Sequence, residues 1–343
     1  MSKHAAITGW GWHSPERVLT NHELESFVET SDEWILTRTG IRNRHLAATG
    51  ETTSGMAVQA ARHALEKAQL SPHDIDLVIC ASTTPDYLLP ATACLIQQEI
   101  GADKAGAFDL NAACSGFIYG LAVGAQFIQA GCYRRILVTA GETLSRFTNW
   151  QDRNTCVLFG DGAGAVVLEA TDQDVGVISH VLGSRGDLDR SLAIEAGGCA
   201  RPASHQTVDE GAHFIRMEGR EVFRLAVRAM THSANDALAK AGLTVADLRC
   251  VIPHQANLRI INATQEALGV PREKMYINVD RHGNTGATSC AIALGEMLRD
   301  QPANVGDNFL FVAFGGGYTW ASLVLRWADI AAIMRERNLR LSA

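Results

Sequence analysis

The sequence predicts an α/β protein in which two similar halves form five layers, α-β-α-β-α. Apolar strand-like runs alternate with helical patterns, which indicates sheets that are mainly parallel and covered by helices. The stretch ALEKAQLSPHDIDLVI at 64–79 recurs as ALAKAGLTVADLRCVI at 237–252, and such self-similarity indicates a duplicated unit. No charged side chain occurs between Leu110 and Tyr133, so this segment fits the centre of a large fold.

In the first half, apolar runs, caps and glycine stops predict the elements in order. Helices are expected from a cap at Asn21 through Val28, from near Glu33 after a cap at Ser31–Asp32, at 53–69, and at 90–100, where Gly101 marks the end. Strands are expected at 5–11, 77–81, 107–110 and 135–140, and after the glycine-rich turn at 160–164. The basic segment 40–45 is predicted to be a loop.

The repeat divides the chain into halves at 1–172 and 173–343. Leu137–Ala140 matches 310–313, and Phe159-Gly160 matches Phe314-Gly315. Cys114-Ser115-Gly116 falls opposite Asn284-Thr285-Gly286, and a small, apolar helix follows each. We therefore expect two central helices to pack between the sheets, with Cys114 close to Asn284. The long polar segment 183–211 is predicted to be a lid or binding loop.

Composition excludes several classes of protein. The net charge is −7, which disfavours general nucleic-acid binding. The segment 110–133 is long enough to span a membrane, but its polar residues and glycines favour a buried helix. Eight scattered cysteines without a C-x-x-C pair, and no signal-peptide pattern, fit a reducing cytoplasm.

Three polar side chains at predicted strand ends are candidates for chemistry. Cys114 precedes a helix whose N-terminus would favour the thiolate, although an inert buried cysteine is the alternative. His254 follows an apolar strand, and a loop histidine bonded to backbone is its alternative. Strand ends are where α/β proteins build their sites, so Cys114, His254 and Asn284 form a coherent set.

Two further patterns concern binding. The loop Gly315–Gly317 could supply amides to an oxyanion or to a phosphate, and no zinc-like cluster occurs, so no metal is expected. Arginines recur every fourth position along one predicted helix, at Arg216, Arg220, Arg224 and Arg228. They indicate either ion pairs with Glu218 and Glu221 or a basic stripe for an acidic partner.

Four motifs resemble the β-ketoacyl-ACP synthase III family of the thiolase superfamily. They are AFDLNAACSGF, PHQANLRI, DRHGNTGA and AFGGGYTW, in this order, with support from 30–45, 151–165 and MEGREVF. The likeness runs from Ala6 to Trp327, and the last sixteen residues look like an extension. The resemblance implies a duplicated thiolase-like fold, a homodimer, and condensation of an acyl-CoA primer with malonyl-ACP without a metal or cofactor.

The resemblance also implies the site residues, each matched to a motif position. Cys114 would be the acylated nucleophile, His254 and Asn284 would bind the thioester carbonyl of malonyl-ACP, and the amides of Cys114 and Gly316 would form an oxyanion hole. The remaining implied roles are these: Trp34, Arg38, Arg153, Asn257 and Arg259 for CoA and phosphopantetheine; Leu144, Phe159 and, across a dimer interface, Leu89 for the acyl pocket; Arg224 and Arg259 for carrier-protein docking.

The chain departs from the family pattern at three places. Asn154 replaces a common glycine beside the adenine-stacking arginine, and Glu266 and Ala267 stand where relatives can be basic. Leu89 stands where some acetyl-selective relatives have phenylalanine, which favours a longer or branched primer. The alternatives are a secondary-metabolism homologue with another acceptor or extender and a catalytically silent acyl-CoA or carrier-protein binding module. A thiolase is disfavoured because no second cysteine falls in the second-half motifs.

Overall fold

The computed structural model describes residues 4–187 and 189–341. The first half contains β1 (His4–His13), β2 (Arg17–Thr20), α1 (Asn21–Leu24), α2 (Asp32–Thr39), β3 (Asn43–Leu46), α3 (Thr53–Ala68), β4 (Leu77–Ala81), α4 (Thr92–Ile100), β5 (Gly106–Leu110), α5 (Gly116–Gln129), β6 (Arg135–Glu142) and β7 (Gly162–Thr171). The second contains β8 (Gly176–Ser184), β9 (Leu192–Ile194), α6 (His205–Asp209), β10 (Ile215–Met217), α7 (Gly219–Ala241), β11 (Leu248–Pro253), α8 (Leu258–Leu268), α9 (Val279–His282), α10 (Ser289–Asp300), β12 (Asn308–Gly315), β13 (Thr319–Arg326) and α11 (Ile330–Leu341).

Two sheets with matching strand order confirm the predicted duplication. The first sheet runs β1-β7-β6-β4-β5 and the second β8-β13-β12-β11. In each, the inner strands pair in parallel (β6-β4-β5 and β12-β11), whereas β7 and β13 pair antiparallel with their neighbours. The sheets are therefore mixed, and the expectation of mainly parallel sheets was wrong.

The helices α5 and α10 form the central layer between the sheets, as predicted for the uncharged segment. Small residues allow close packing here: a Cβ added to Gly116 at the start of α5 would lie 3.5 Å from the Ala287 side chain in the turn before α10. One added to Gly164 on β7 would lie 2.4 Å from the Ala291 side chain on α10. The outer layers are α3 with α4 on one side and α7 with α8 on the other. This arrangement gives the predicted five layers.

The register between the halves differs from the predicted one. Single 3-10 turns, Ala113–Ser115 and Gly286–Thr288, precede α5 and α10. Equivalent positions therefore differ by 173 (286 − 113), the same shift as between the starts of β6 and β12 (308 − 135). Asn284 thus corresponds to Asn111, and Cys114 corresponds to Ala287. The alignment of the two repeats had matched Ser115-Gly116 with Thr285-Gly286, but these pairs occupy different positions in their turns.

The segment 40–45 is not a basic surface loop. It enters β3, which pairs with β2, and Arg44 is fully buried. The guanidinium donates to Leu19 O (3.2 Å), Asn21 Oδ1 (2.8 Å) and Val157 O (2.9 Å), and burial lowers the pKa of Arg44 to about 10. The Asn21 side-chain oxygen binds Arg44, so Asn21 does not cap α1; Thr20 is the cap instead. The helix ends at Leu24, short of the predicted Val28.

The C-terminal extension docks as α11 on the first half. Ile333 packs with Ala6, Val175 and Ala328, and buried Arg337 reaches Glu169 Oε2 (3.2 Å) and Ala68 O (2.9 Å). These contacts attach the extension to the start of β1 and the end of α3.

We expect Arg337→Ala to lower the free energy of unfolding by about 1–3 kcal/mol, because it leaves buried acceptors without their donor. The loss should be smaller than the loss caused by an unpaired buried charge, because Glu169 retains its ion pair with Arg135 (3.3 Å). Denaturant unfolding measures it, with exposed Arg335→Ala as the control, expected within about 0.5 kcal/mol of the parent. Equal effects of the two variants would contradict this role for Arg337.

Candidate active site

One cavity of about 340 Å³ brings Cys114, His254 and Asn284 together. They come from three places: the turn after β5, the end of β11, and the turn before α10. The wall contains both polar and apolar side chains, among them Thr83, Asn111, Leu144, Phe159, Leu192, Ile194, Ile215, Met217, Ala226, Asn257, Gly286 and Gly316. The predicted convergence of the two halves on one site therefore matches the structure.

Cys114 is held in a tight turn between β5 and α5. Asn111 Oδ1 accepts a hydrogen bond from the Ala113 amide (3.2 Å), and Ala113 adopts φ +47°, a conformation that costs free energy outside glycine. The end of β12 presses against this turn: a Cβ on Gly315 would lie 2.5 Å from the Cys114 nitrogen. Position 315 must therefore be glycine for the second half to reach the nucleophile.

The Cys114 thiol is neutral in the free protein. Burial raises its pKa to about 12, the charge of Glu142 adds to this, and the residue's own amide opposes it. The expected help from the start of α5 is thus outweighed by the loss of water around the sulfur. Loss of the thiol proton must accompany the attack on a bound acyl group.

His254 is a buried, neutral imidazole. Its amide donates to Val312 O (2.8 Å), and its Nδ1 lies 2.7 Å from Ser289 Oγ at the start of α10. Burial lowers the pKa of His254 to about 4. Ser289 Oγ already accepts the Gln255 amide (3.3 Å), which favours donation of its own proton to Nδ1. His254 Nε2 then carries the ring hydrogen and can donate it to a ligand.

Asn284 is fixed so that its amide nitrogen is available. Its backbone bonds to Leu158 O (2.8 Å) and to the Gly160 amide (3.0 Å). Its Oδ1 accepts from the Gly286 amide (3.0 Å), which identifies Nδ2 as the atom left to donate into the cavity. Asn284 and His254 are therefore two neutral donors on the same cavity wall.

The residues expected to hold CoA lie on α2, in the turn after Trp150 and at the start of α8. The Arg38 and Arg153 guanidiniums lie 4.6 and 5.0 Å from the Trp34 ring centroid, so both occupy the ring's surroundings in the free protein. Asn257 caps α8 through Oδ1 (2.9 Å to the Ile260 amide) and lines the cavity. Arg259 is exposed and lies over Phe223.

The apolar wall extends beyond the predicted residues. Leu144 and Phe159 line the cavity as expected, but Leu89 is 86% exposed and lies outside the cavity of its own chain. The predicted lid 183–211 contributes Leu192–Ile194 as β9, which pairs with β10. The sequence did not predict Ile215 and Met217 as cavity residues. Their alternation with Arg216 in the short strand β10 was the signal that could have indicated one buried face.

The arginine series does not form one helical stripe. Arg216 lies on β10 and pairs with Glu195 (3.0 Å), whereas Arg224 on α7 pairs with Glu221 (2.8 Å). Arg220 and Arg228 are exposed on the same helix. The ion-pair reading therefore holds for Arg224 with Glu221, whereas Arg216 pairs with Glu195. The reading as a basic stripe for an acidic partner stays a prediction.

In residues 4–187 and 189–341, no group of three or more His, Cys, Asp or Glu side chains is placed to hold a metal ion. Over the same residues, no helix combines the length and apolar character needed to cross a bilayer. All eight cysteines are free thiols.

A thiol at the start of a central helix, faced by two neutral donors from a second, similar half, defines a condensing acyltransferase of the thiolase fold. Family models for 3-oxoacyl-[acyl-carrier-protein] synthase III match residues 108–186 and, for its C-terminal part, 238–327. The chain belongs to this family, the β-ketoacyl-ACP synthases III, as its motifs had suggested.

Individual relatives support the same conclusion. The β-ketoacyl-ACP synthase III of Roseiflexus sp. (strain RS-1) is 54% identical over 95% of this chain and 99% of its own length. The crystal structure of the Aquifex aeolicus enzyme superposes with a TM-score of 0.87 at 44% identity, over 94% of this chain and 100% of that one. A priming β-ketosynthase of the R1128 polyketide pathway has a TM-score of 0.88 at 37% identity, over 96% and 97%.

Proposed function

We propose that this β-ketoacyl-ACP synthase III condenses an acyl-CoA primer with malonyl-ACP through an acyl-Cys114 intermediate. The observation that carries the proposal is the single cavity that holds one thiol and two neutral donors, from Cys114, His254 and Asn284. The products are 3-oxoacyl-ACP, CO₂ and CoA, as in the initiation of fatty-acid synthesis.

In the first half-reaction, the Cys114 sulfur attacks the thioester carbonyl of the primer. The new S–C bond forms as the bond to CoA breaks, and the proton lost by Cys114 leaves on the CoA thiol. The amides of Cys114 and Gly316 are the proposed oxyanion hole. Two observations support this: Gly316 lines the cavity with Cys114, and its neighbour Gly315 closely approaches the Cys114 nitrogen. Amides placed in advance need no reorganisation when the charge develops.

In the second half-reaction, malonyl-ACP loses CO₂ and becomes an enolate. His254 Nε2–H and Asn284 Nδ2–H are the proposed donors to the enolate oxygen. The enolate carbon then attacks the acyl-Cys114 carbonyl, and the released sulfur takes up a proton. A histidine with a pKa of about 4 suits this role, because it stays a neutral donor over the physiological range. The proposed reaction needs no metal or organic cofactor.

The CoA adenine is proposed to insert between Trp34 and Arg153, with Arg38, Asn257 and Arg259 along the pantetheine path. We expect Trp34→Ala to raise the KM for an acyl-CoA about tenfold, since stacking on one base contributes about 1–3 kcal/mol. The KM for the same acyl group on pantetheine, which has no adenine, should not change. A similar rise for both substrates would show that Trp34 acts on the fold instead.

Carrier-protein docking is proposed for the exposed arginines of α7 and α8. Arg224 and Arg259 are exposed on these packed helices, and acyl carrier protein would be attracted by positive charge. The exposed Glu266 and Ala267 leave the far end of α8 without the basic residues that relatives can have. Docking in this chain would then depend on the α7 side, where Arg220 and Arg228 add charge.

We further propose that the chain is a cytoplasmic homodimer whose copies meet at β5. This strand is the edge of the first sheet, and beside it Leu88 and Leu89 are 88% and 86% exposed. Pairing of two β5 strands would cover the open backbone edge of the sheet. It would also bring Leu89 towards the partner's acyl pocket. Sedimentation equilibrium should give twice the chain mass of 36.9 kDa; a monomer at micromolar concentration would contradict this.

The experiment for the function uses a panel of acyl-CoA primers, each followed by malonyl-ACP or malonyl-CoA, with intact-mass detection of protein and product. We expect one acyl group per chain and then 3-oxoacyl-ACP, with longer or branched primers accepted because position 89 is leucine. The likeness to the R1128 priming ketosynthase supports one rival, a polyketide-type priming enzyme. Preference for a different extender or acceptor would favour that rival.

A further inference from the structure

Glu142 is a buried carboxylate directly behind the catalytic cavity. It ends β6 and is fully inaccessible to solvent. It accepts hydrogen bonds from the Thr83 amide (3.1 Å), the Thr83 hydroxyl (2.9 Å) and the Thr84 hydroxyl (2.6 Å), and also from the Ala287 amide. In the described part of the chain it forms no ion pair. Four neutral donors therefore hold this charge in place.

The donors come from both halves of the protein. Thr83 lines the cavity, and Thr84 belongs to the turn that leads towards Leu89. Ala287 follows Gly286, whose amide fixes the Asn284 side chain. Gly286 has φ +58°, and a Cβ there would lie 3.2 Å from Glu142 Cγ. Glu142 thus supports the Asn284 turn from behind.

Burial governs the pKa values of the carboxylate and of two thiols that its charge affects. Burial raises the pKa of the Cys80 thiol on β4 and of the Cys114 thiol, and the charge of Glu142 adds to both shifts. Burial also raises the pKa of Glu142 itself to about 7, although its hydrogen bonds oppose this shift. The direct contacts of the carboxylate are therefore with Thr83, Thr84 and the turn that serves condensation.

We propose that Glu142 is a positioning residue whose hydrogen bonds hold the Asn284 turn for condensation. This proposal rests on the roles proposed above for Cys114 and Asn284. Loss of the carboxylate should consequently slow condensation and leave acylation of Cys114 at the wild-type rate, whereas loss of a merely structural group should slow both.

The test is Glu142→Gln. A glutamine offers one acceptor oxygen and turns an NH₂ group towards donors, so the Asn284 turn loses its anchor. We expect single-turnover condensation from preformed acyl-enzyme to fall about 10- to 100-fold. Acylation of Cys114 by the primer, followed by intact mass, should stay at the wild-type rate, because the thiol and its oxyanion hole do not depend on the Asn284 turn. The matched control is Asp161→Asn. Asp161 is a buried carboxylate held by the Ala47 and Ser145 amides and should leave the ratio of the two rates unchanged.

A second measurement uses the wild-type enzyme, in case the variant does not fold. Condensation from acyl-enzyme should weaken as the pH falls through about 7, because protonated Glu142 accepts fewer hydrogen bonds. A wild type without this dependence, or a folded Glu142→Gln in which acylation falls as much as condensation or condensation does not fall, would overturn the proposal. A wild type that is never acylated would overturn the proposed function and this inference together.

Discussion

Cys114→Ala is expected to abolish acylation by any acyl-CoA, so that its intact mass stays at that of the free chain. The physical reason is that Cys114 is the one cysteine among the described residues that lines the cavity, which Gly316 also lines. Condensation should fall by at least the factor of about 10⁴–10⁶ that removal of a covalent nucleophile costs other acyl-transfer enzymes. Intact-mass spectrometry after incubation with primer measures the first effect, and formation of 3-oxoacyl-ACP measures the second.

Exposed cysteines provide the control. Cys94, Cys132 and Cys199 are exposed. They could react slowly with a thioester, because none of them lines the cavity. Cys132→Ala should gain one acyl group at the wild-type rate. Acylation of Cys114→Ala at that same rate would show that the nucleophile lies elsewhere.

The main features of this fold could be predicted because they repeat. β4 is buried and apolar throughout, and β11 is apolar and buried except at Arg249; the repeated motif before them revealed the two halves. Cys114, His254 and Asn284 could be found because each stands at a break between an apolar run and a turn. Local patterns of this kind are visible in a single sequence.

The parts that escaped prediction depend on long-range contacts. Arg44 looks like a surface charge until Val157, 113 positions away, is seen to accept its hydrogen bond. Glu142 follows an apolar strand without any motif, and one of its donors belongs to the other half. Ser289 lies 35 positions from the histidine that it orients. Residue spacing cannot indicate these partners, because packing between layers brings them together.

His254→Ala and Asn284→Ala are expected to separate the two half-reactions. Both variants should still gain one acyl group on Cys114, because the oxyanion hole for that step is made of the amides of Cys114 and Gly316. Condensation with malonyl-ACP should fall about 10²–10³-fold in each, the usual loss when one donor to a developing oxyanion is removed. Mass spectrometry of the acyl-enzyme and of the ACP product measures both steps on the same sample.

The conservative variant Asn284→Asp sharpens this prediction. Aspartate keeps the size of the side chain but replaces the Nδ2 donor with a second acceptor, and a negative charge would face the enolate. Condensation should then fall further than in Asn284→Ala, while a melting temperature near that of the parent would show that the fold is kept. If Asp supported condensation better than Ala, Asn284 would act by filling space and not as a donor. If either alanine variant folded but could not be acylated, His254 or Asn284 would have to be reassigned to the first step.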